Sequence, residues 1–259
     1  MKIVACVKQV PDTVEIKVDP ETGTLIRDNV PAILNPFDTY AVEEGLQIRE
    51  KLGGEVVALT MGPPASTDIL YEAFSMGVDN AVQISDRAVR GSDTFATAGI
   101  LAAAIRKIGD VDLVLCGKQA IDGDTAQVGP EIAEFLGLPH VTYVKKIREV
   151  TPEKVICERM VETGVEVIEV RLPAVLTVLK DINSPRLPSF RLKRKAKEKV
   201  IPVWGIAELG LSEEQVGLSG STTTVLKTFT PEARGNCRML DGTMDEMVEA
   251  LLPVLDAAR

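Results

Sequence analysis

The stretch DLVLCGKQAIDGDTAQVGPEIAEFL, residues 112–136, contains the pattern that decides the fold class. Its first part, Asp112 to Cys116, is a short apolar run, which has the length of a buried strand and is too short for a helix. Its second part, Gly117 to Asp124, holds two glycines and two aspartates and is typical of a turn. From Thr125 the apolar spacing predicts a helix, and Gly137 is placed to cap its end. The stretch therefore predicts the strand, link and helix of an α/β protein.

The link of this unit is rich in hydrogen-bonding side chains. Six of them fall within ten residues: Lys118, Gln119, Asp122, Asp124, Thr125 and Gln127. Beyond the carboxyl end of a parallel strand, free backbone N–H groups and the positive end of the next helix favour a bound phosphate. Neither GxxxxGK[ST] nor GxGxxG occurs in this stretch, so a nucleotide site here would be of another kind. A link that only turns the chain and caps the helix is the alternative.

Strands and helices are predicted to alternate from the first residues up to this unit. The predicted strands are residues 2–7, 55–61, 81–85 and 112–116, and the predicted helices begin near Asn35, Ser66 and Ser92. Asn35 or Asp38 is expected to cap the first of these helices. Such alternation predicts a mostly parallel sheet with helices on both faces, whose strand carboxyl ends share one edge. Five segments converge there: the residues after Val7, the turn at Asn35, Met61-Gly62, the cap at Ser92 and the link 117–125. For the Asn35 and Ser92 turns, simple helix capping is the alternative.

The pattern changes after Pro139. Strand-like runs at 141–147, 155–159 and 165–172 predict an antiparallel addition, and residues 174–178 return to the sheet. A further hairpin is predicted from residues 14–18 and 24–26, with Gly23 in its turn.

A basic segment follows the predicted sheet. Residues 181–199 contain seven Lys or Arg in a chain of net charge −9, together with two prolines and the apolar Leu187 and Phe190. This composition predicts a docking loop for an acidic partner, with a solvated surface loop as the alternative. The tail that follows contains an amphipathic helix predicted from about Gly242, which Pro253 is expected to bend or end.

Composition excludes several function classes. Aromatic residues make up only 4% of the chain and its charge is acidic, which disfavours nucleic acid and anionic membranes as partners. The four cysteines form no CxxC pair, so no metal site is predicted. The single histidine, His140, has no neighbours that would complete a hydrolase site. Met1 leads directly into a strand, and no apolar run approaches the ~18 residues that span a bilayer. A cytoplasmic protein is expected.

Four blocks of the sequence resemble one known family. They are MKIVACVKQVPD at the start, NPFD and AVEE within residues 35–44, LCGKQAIDGDTAQVGPEIAEFLGLP, and PAVLTV with KDINSPR within residues 173–186. All four resemble the β (small) subunit of electron-transfer flavoproteins, and the resemblance extends from Lys2 to about Ile201. It implies a Rossmann-like nucleotide-binding α/β core at 1–180, a basic recognition loop at 181–200, and a C-terminal arm at 201–259 that packs on the large (α) subunit.

The resemblance also implies site residues at the shared edge of the sheet. Its nucleotide contacts extend as far as Glu131. Together with the analysis above, the predicted cofactor-binding residues are Cys6, Asn35, Pro36, Phe37, Asp38, Met61, Gly62, Ser92, Asp93, Thr94, Thr97, Gly117, Lys118, Gln119, Ala120, Asp122, Gly123, Asp124, Thr125, Ala126, Gln127, Val128, Gly129 and Pro130. The predicted docking residues are Arg186, Leu187, Phe190, Lys193 and Lys195. Phe190 is the preferred anchor for a partner dehydrogenase, and Leu187 is the alternative.

Two features resemble the electron-bifurcating branch of that family. SDTFAT at residues 92–97 is similar to its SDTxAT stretch, and DGDTAQVGP is similar to its version of the link. This resemblance implies an electron carrier that binds FAD, takes electrons from NADH, and passes them to the FAD of the large subunit and to a low-potential acceptor. No catalytic side chain is expected, because the cofactor carries the chemistry. The alternatives are an AMP-binding structural small subunit and a stand-alone adenine-nucleotide-binding regulatory protein.

Overall fold

The computed structural model describes residues 1–12, 17–18, 25–26, 31–227 and 239–257. The chain divides into a first compact unit, Met1–Ile16 with Arg27–Leu226, and a second unit, Lys17–Ile26 with Lys227–Arg259. The strands are β1 Lys2–Cys6, β2 Gln9–Pro11, β3 Lys17–Val18, β4 Leu25–Ile26, β5 Ala32–Leu34, β6 Glu55–Met61, β7 Asn80–Ile84, β8 Leu113–Gly117, β9 His140–Val150, β10 Lys154–Val161, β11 Gly164–Arg171, β12 Ala174–Val178 and β13 Val203–Trp204. The α-helices are α1 Pro36–Leu52, α2 Thr67–Met76, α3 Thr94–Ile108, α4 Val128–Leu136, α5 Phe190–Ala196, α6 Gly217–Gly220 and α7 Met244–Ala257.

A nine-stranded sheet organises the first unit. Its strand order is β11-β10-β9-β12-β8-β1-β6-β7-β13, and every pair from β9 to β13 is parallel. Strands β9, β10 and β11 pair antiparallel, so the addition predicted after Pro139 is confirmed. The central strands β8 and β12 are buried throughout and β1 is buried after Lys2, as expected where both faces of a parallel sheet are covered. The predicted α/β fold class is therefore confirmed.

The strand order reverses direction at one place in this sheet. From β1 the chain proceeds through β6 and β7 on one side, and then crosses to β8 and β12 on the other side. In register, Cys6 is opposite Cys116 of β8 and opposite Leu59 of β6. A crevice opens beyond the carboxyl ends of the strands where the order reverses, and ligands of such folds bind there. In this chain that position lies between β1 and β8.

Two apolar cores cover the two faces of the sheet. One contains Leu46 and Ile48 of α1 with Ile69 and Leu70 of α2, and the other contains Ile100 of α3 with Ile132 and Ala133 of α4. Burial of each such side chain stabilises the fold by roughly 1.5–3 kcal/mol relative to exposure. Helix α1 begins after β5, α3 begins after the turn that follows β7, and α4 begins after the link that follows β8. The N-termini of these helices therefore lie around the crevice.

Two sequence predictions about helix boundaries are wrong. Helix α4 begins at Val128 and not at Thr125, because Asp124 and Ala126 have φ angles of 50° and 54° and cannot belong to a right-handed helix. The basic segment 181–199 is not wholly a loop, since it contains α5. Gly137 caps α4 with a left-handed φ of 67°, as predicted.

The tail divides between the two units. Residues Val203–Trp204 extend the sheet beside β7, and Trp204, Ile206, Leu209 and Leu211 pack on the core of the first unit. In the second unit, β3 pairs antiparallel with β4, which confirms the early hairpin, while its turn lies outside the described residues. Helix α7 of that unit continues past Pro253, so the prediction that this proline could end it is wrong. No α-helix within the described ranges is both long and apolar enough to cross a membrane.

The end of β8 depends on a glycine. A Cβ atom added to Gly117 would lie 2.4 Å from Oδ1 of Asp38 and 2.6 Å from the carbonyl carbon of Phe37. We expect Gly117→Ala to lower the free energy of unfolding by roughly 1–3 kcal/mol, because α1 would have to move away from the sheet. Urea unfolding measures this loss.

Gly123 provides the matched control in the same link. No atom lies within 4 Å of a Cβ added there, so Gly123→Ala should leave the free energy of unfolding nearly unchanged. Equal stability of the two variants would contradict the close approach of α1 to β8.

Candidate functional site

Two cysteines form the floor of the crevice. Cys6 and Cys116 end neighbouring strands in register, and both are buried. A hydrogen bond with Cys6 and burial raise the pKa of the Cys116 thiol well above its usual value. A protonated, buried thiol is a poor nucleophile, so Cys116 shapes the floor and does not supply a reactive group.

Asn35 ties the start of α1 to the link after β8. Its fully buried side chain donates from Nδ2 to the carbonyl oxygen of Gln119 at 2.9 Å and accepts at Oδ1 from the amide of Ile121 at 3.2 Å. Asn35 occupies the N-cap position of α1, as predicted, but its side chain makes no capping hydrogen bond. The physical reason is that the link after β8 offers this buried amide two backbone partners, which occupy its Nδ2 and its Oδ1.

Asp38 fixes the segment that leaves β1. Its Oδ2 accepts from the backbone N–H of Lys8 at 2.8 Å, so this carboxylate does not cap α1 either. Burial raises the pKa of Asp38 to about 7, although hydrogen bonds from Asn35 and from the Lys8 amide oppose that shift. The side chain is only 6% exposed, so it supports the crevice from behind.

The link itself turns sharply and then opens toward α4. Within it, Gln119 Nε2 donates to Asp124 Oδ1 at 2.6 Å, and the Asp124 amide donates to the Ala120 carbonyl at 2.9 Å. Gln127 occupies the N-cap position of α4 without a side-chain cap, and the first helical bond is donated by Glu131 to Gln127. Among the described residues, no acceptor is found for the amides of Val128 and Gly129. Such open amides at a helix start can bind an anion.

Lys118 belongs to the other side of β8. Its amide donates to the Val178 carbonyl, and its ammonium lies 5.5 Å from the ring centroid of Tyr143. Both partners belong to β12 and β9, on the side of β8 opposite to β1. Lys118 therefore faces away from the β1 edge of the crevice.

The start of α3 has two different tasks. Asp93 caps the helix through the Ala96 amide and also accepts hydrogen bonds from Thr222 and Thr223, while Ser92 Oγ accepts from the Gly217 amide. Burial opposes ionisation of Asp93, but these donors outweigh it and lower its pKa to about 2. Ser92 and Asp93 thus hold residues 217–223 against the start of α3.

Thr94 faces α4 instead. Its hydroxyl lies 3.1 Å from Gln127 Oε1 and 3.1 Å from Glu131 Oε1. Burial raises the pKa of Glu131, and its second oxygen, Oε2, is buried without a hydrogen-bond partner among the described residues. Glu131 Oε2 can therefore accept a hydrogen bond from a ligand beside the open amides of α4.

The remaining predicted residues lie around this centre. Pro36 and Phe37 begin α1, Met61 ends β6 and Gly62 follows it, and Thr97 lies in the first turn of α3. The exposed part of the link contains Asp122, Gly123, Asp124 and Thr125. The segment after Val7, which was expected at this edge, contributes Lys8, and its Nζ binds Asp122 at 2.7 Å. Lys8 itself was not among the predicted site residues. An isolated lysine after a strand gives no sequence signal for such a contact.

The predicted docking segment is held by α1. Arg186 forms ion pairs with Glu43 at 2.7 Å and with Glu50 at 2.6 Å, so it is occupied within the chain. Leu187 and Phe190 are 89% and 87% exposed, respectively. Lys193 and Lys195 are exposed on α5. The segment therefore presents two exposed apolar side chains beside exposed lysines.

The parallel sheet with its order reversal at β1 and β8 defines an α/β protein of the Rossmann-like class, whose ligands bind at this edge. A family model described as electron transfer flavoprotein domain matches residues 22–209. The chain belongs to the electron transfer flavoprotein family, in its beta-subunit group. The resemblance drawn from the sequence blocks is therefore confirmed.

Close relatives cover nearly the whole chain. A caffeyl-CoA reductase-Etf complex subunit, CarD, of Acetobacterium woodii is 49% identical over 257 residues, which is 98% of each chain. The electron transfer flavoprotein subunit beta of Thermoanaerobacterium thermosaccharolyticum is 45% identical and covers 99% of this chain and 98% of its own. That of Megasphaera elsdenii is 44% identical, with coverage of 97% and 98%.

Asp38 should give the stability of the protein a specific pH dependence. Its pKa rises from 3.8 to about 7 on folding, so between these values the folded protein retains a proton that the unfolded chain releases. The Asp38 contribution to the free energy of unfolding therefore falls as pH rises from 4 to 7, by up to about 1.4 kcal/mol per pH unit, and is constant above that range. Asp38→Asn should remove this fall.

Urea unfolding of both proteins at several pH values between 4 and 8 measures the difference. Asp68→Asn, at an exposed carboxylate of α2, is the control and should follow the wild-type profile. Parallel profiles for wild type and Asp38→Asn would contradict the raised pKa.

Proposed function

We propose that this chain is the small subunit of a heterodimeric, electron-bifurcating electron transfer flavoprotein, and that it binds FAD in the crevice between β1 and β8. The observation that carries the proposal is the open start of α4, where the amides of Val128 and Gly129 lie beside Thr94 and Glu131. Its relative CarD, named as a subunit of a caffeyl-CoA reductase-Etf complex, supports the same assignment.

The residues present fit an adenine dinucleotide. The amides at the start of α4 and its positive helix end would hold a phosphate. The partnerless Oε2 of Glu131 would accept a hydrogen bond from a hydroxyl or amine of the ligand. Thr94 and Thr97 at the start of α3 add hydroxyls on the side of α4 where a ligand longer than AMP would extend.

The role of this chain is to position the cofactor and control its surroundings. When bound, the flavin would accept a hydride from NADH and release electrons singly toward the large subunit and a low-potential acceptor. Asn35 and Asp38 hold the walls of the crevice, and the apolar floor at Cys6 and Cys116 excludes water. None of these side chains has to act as an acid, base or nucleophile.

The nucleotide content of the purified heterodimer tests the proposal. Mild extraction should yield two flavins per heterodimer, whereas the AMP-binding alternative yields one flavin and one AMP. Thr94→Ala combined with Thr97→Ala should lower the content of the second flavin at least severalfold, because two hydroxyls beside α4 are lost. Chromatography of the released nucleotides gives both ratios.

Thr163→Ala is the control for this pair of substitutions. Thr163 is exposed in the turn between β10 and β11, so its removal should leave both nucleotides in place. Unchanged flavin content in the Thr94→Ala/Thr97→Ala protein would remove α3 from the proposed site. One AMP in the wild-type heterodimer would replace bifurcation by the structural role.

We also propose that the segment around α5 docks a partner dehydrogenase. Two apolar side chains almost fully exposed on a segment that is fixed to α1 are preorganised for a pocket on another protein, and the lysines of α5 favour an acidic rim. A stand-alone nucleotide-binding regulator would have no use for such a surface. This exposure therefore favours an electron carrier that meets successive partners.

Truncation of the apolar tips tests the docking segment. Phe190→Ala should lower the second-order rate of electron transfer to the dehydrogenase about tenfold or more, and Leu187→Ala should have a smaller effect. Val167→Ala is the control, because Val167 is an exposed apolar residue of β11, outside segment 181–200. Stopped-flow kinetics at matched nucleotide content measure the rates. A larger effect of Leu187→Ala would move the anchor to Leu187, and wild-type rates in both variants would refute the docking role.

A further inference from the structure

An ion pair joins the two segments that leave the central strands. Lys8 Nζ lies 2.7 Å from one carboxylate oxygen of Asp122 and 2.8 Å from the other. Lys8 follows β1 by two residues, and Asp122 lies in the link after β8, so the contact crosses the crevice where the strand order reverses. Among the ion pairs within the described ranges, this one alone connects the two walls of the crevice.

Both ends of this bridge are attached to fixed backbone. The Lys8 amide donates to Asp38, and the Lys8 carbonyl accepts from the Asn35 amide at 2.9 Å. On the opposite wall, the Asn35 side chain holds Gln119 and Ile121, immediately before Asp122. Since the backbone on each side is tied to Asn35 or Asp38, the bridge can open by rotation of two side chains alone.

The strength of the bridge suits a contact that opens and closes. The side chains of Lys8 and Asp122 are 48% and 27% exposed, so water and salt reach the pair. Exposed ion pairs stabilise a protein only weakly. The open amides of α4 follow directly after the same link. A ligand bound to them would therefore lie beside an ion pair that opens at a low cost in free energy.

From this geometry we propose that the Lys8–Asp122 ion pair is a latch that slows the release of the nucleotide from the crevice. The inference rests on the proposed nucleotide site and adds a residue to it, since Lys8 would act through the closed bridge. Asp122 would likewise act by closing the bridge and not as a direct ligand of the nucleotide.

A latch and a pair of direct nucleotide ligands predict different effects of single and paired substitutions at Lys8 and Asp122. A latch is broken equally from either end, so Lys8→Met, Asp122→Asn and the double variant should release nucleotide at the same faster rate. A latch is also restored when the charges are exchanged, so Lys8→Asp combined with Asp122→Lys should return the rate toward wild type. Direct ligands would give unequal single effects, and exchange of their charges would restore nothing.

The experiment uses the full-length chain in complex with its large subunit. Radiolabelled AMP or FAD, whichever the wild-type complex retains, is loaded and then chased with an excess of the unlabelled nucleotide. We expect the dissociation rate to rise about two- to fivefold when the latch is broken. Raising the salt concentration to about 0.5 M should accelerate release from the wild type and change the latch variants little.

Lys154→Met with Glu169→Gln is the matched control. This pair is also exposed and has the same N–O distance of 2.7 Å, but it joins β10 to β11 and does not cross the crevice. Its loss should leave the release rate unchanged.

The outcomes separate the latch from the proposed function. Wild-type release rates in Lys8→Met and Asp122→Asn, in a complex that retains nucleotide, would refute the latch and leave the nucleotide site standing. Loss of nucleotide in Asp122→Asn alone, without rescue by exchanged charges, would make Asp122 a ligand and also refute the latch. A wild-type complex that retains no adenine nucleotide would refute both.

Discussion

The crevice depends on the two hydrogen bonds of the buried Asn35 side chain. They connect the start of α1 to Gln119 and Ile121, which are more than eighty residues away in the chain. Asn35 is fully buried, and a side-chain amide without access to water must have hydrogen-bond partners. The link after β8 is therefore held in one conformation, and its open end at α4 is placed by a contact made at its beginning.

This constraint divides the polar residues around the crevice into two groups. Asn35, Asp38, Ser92 and Asp93 bind the chain's own backbone and hold loops in place. The backbone amides at the start of α4, together with Thr94 and Glu131, remain available to form hydrogen bonds with a ligand. Holding a loop in place has a cost at Asp38. Its carboxyl group lies behind the crevice, away from water, and its pKa therefore rises to about 7. A preorganised site of this kind does not need to reorder when a ligand arrives.

Much of this architecture could be predicted from the sequence, because it follows from apolar runs and their length. The strands 2–7, 55–61 and 81–85, the parallel sheet and the shared edge all follow from that pattern. The delayed start of α4 could not be predicted, since the left-handed φ angles of Asp124 and Ala126 leave no signal in the apolar spacing. The sequence did place Asn35 at the N-cap of α1, but the partners of its side chain come from a segment that no local pattern connects to it.

Helix α1 connects the crevice to the predicted docking segment. It begins at the crevice with Asn35 and Asp38, and two turns later Glu43 and Glu44 bind Arg186 and Asn183. Glu43 lies about 12 Å along the helix from Asn35, given a rise of 1.5 Å per residue. Because the same helix is anchored in the core by Leu46 and Ile48, it sets the distance between the two surfaces. In the proposed electron carrier, such a rigid spacer would keep the nucleotide crevice and the docking segment at a fixed separation.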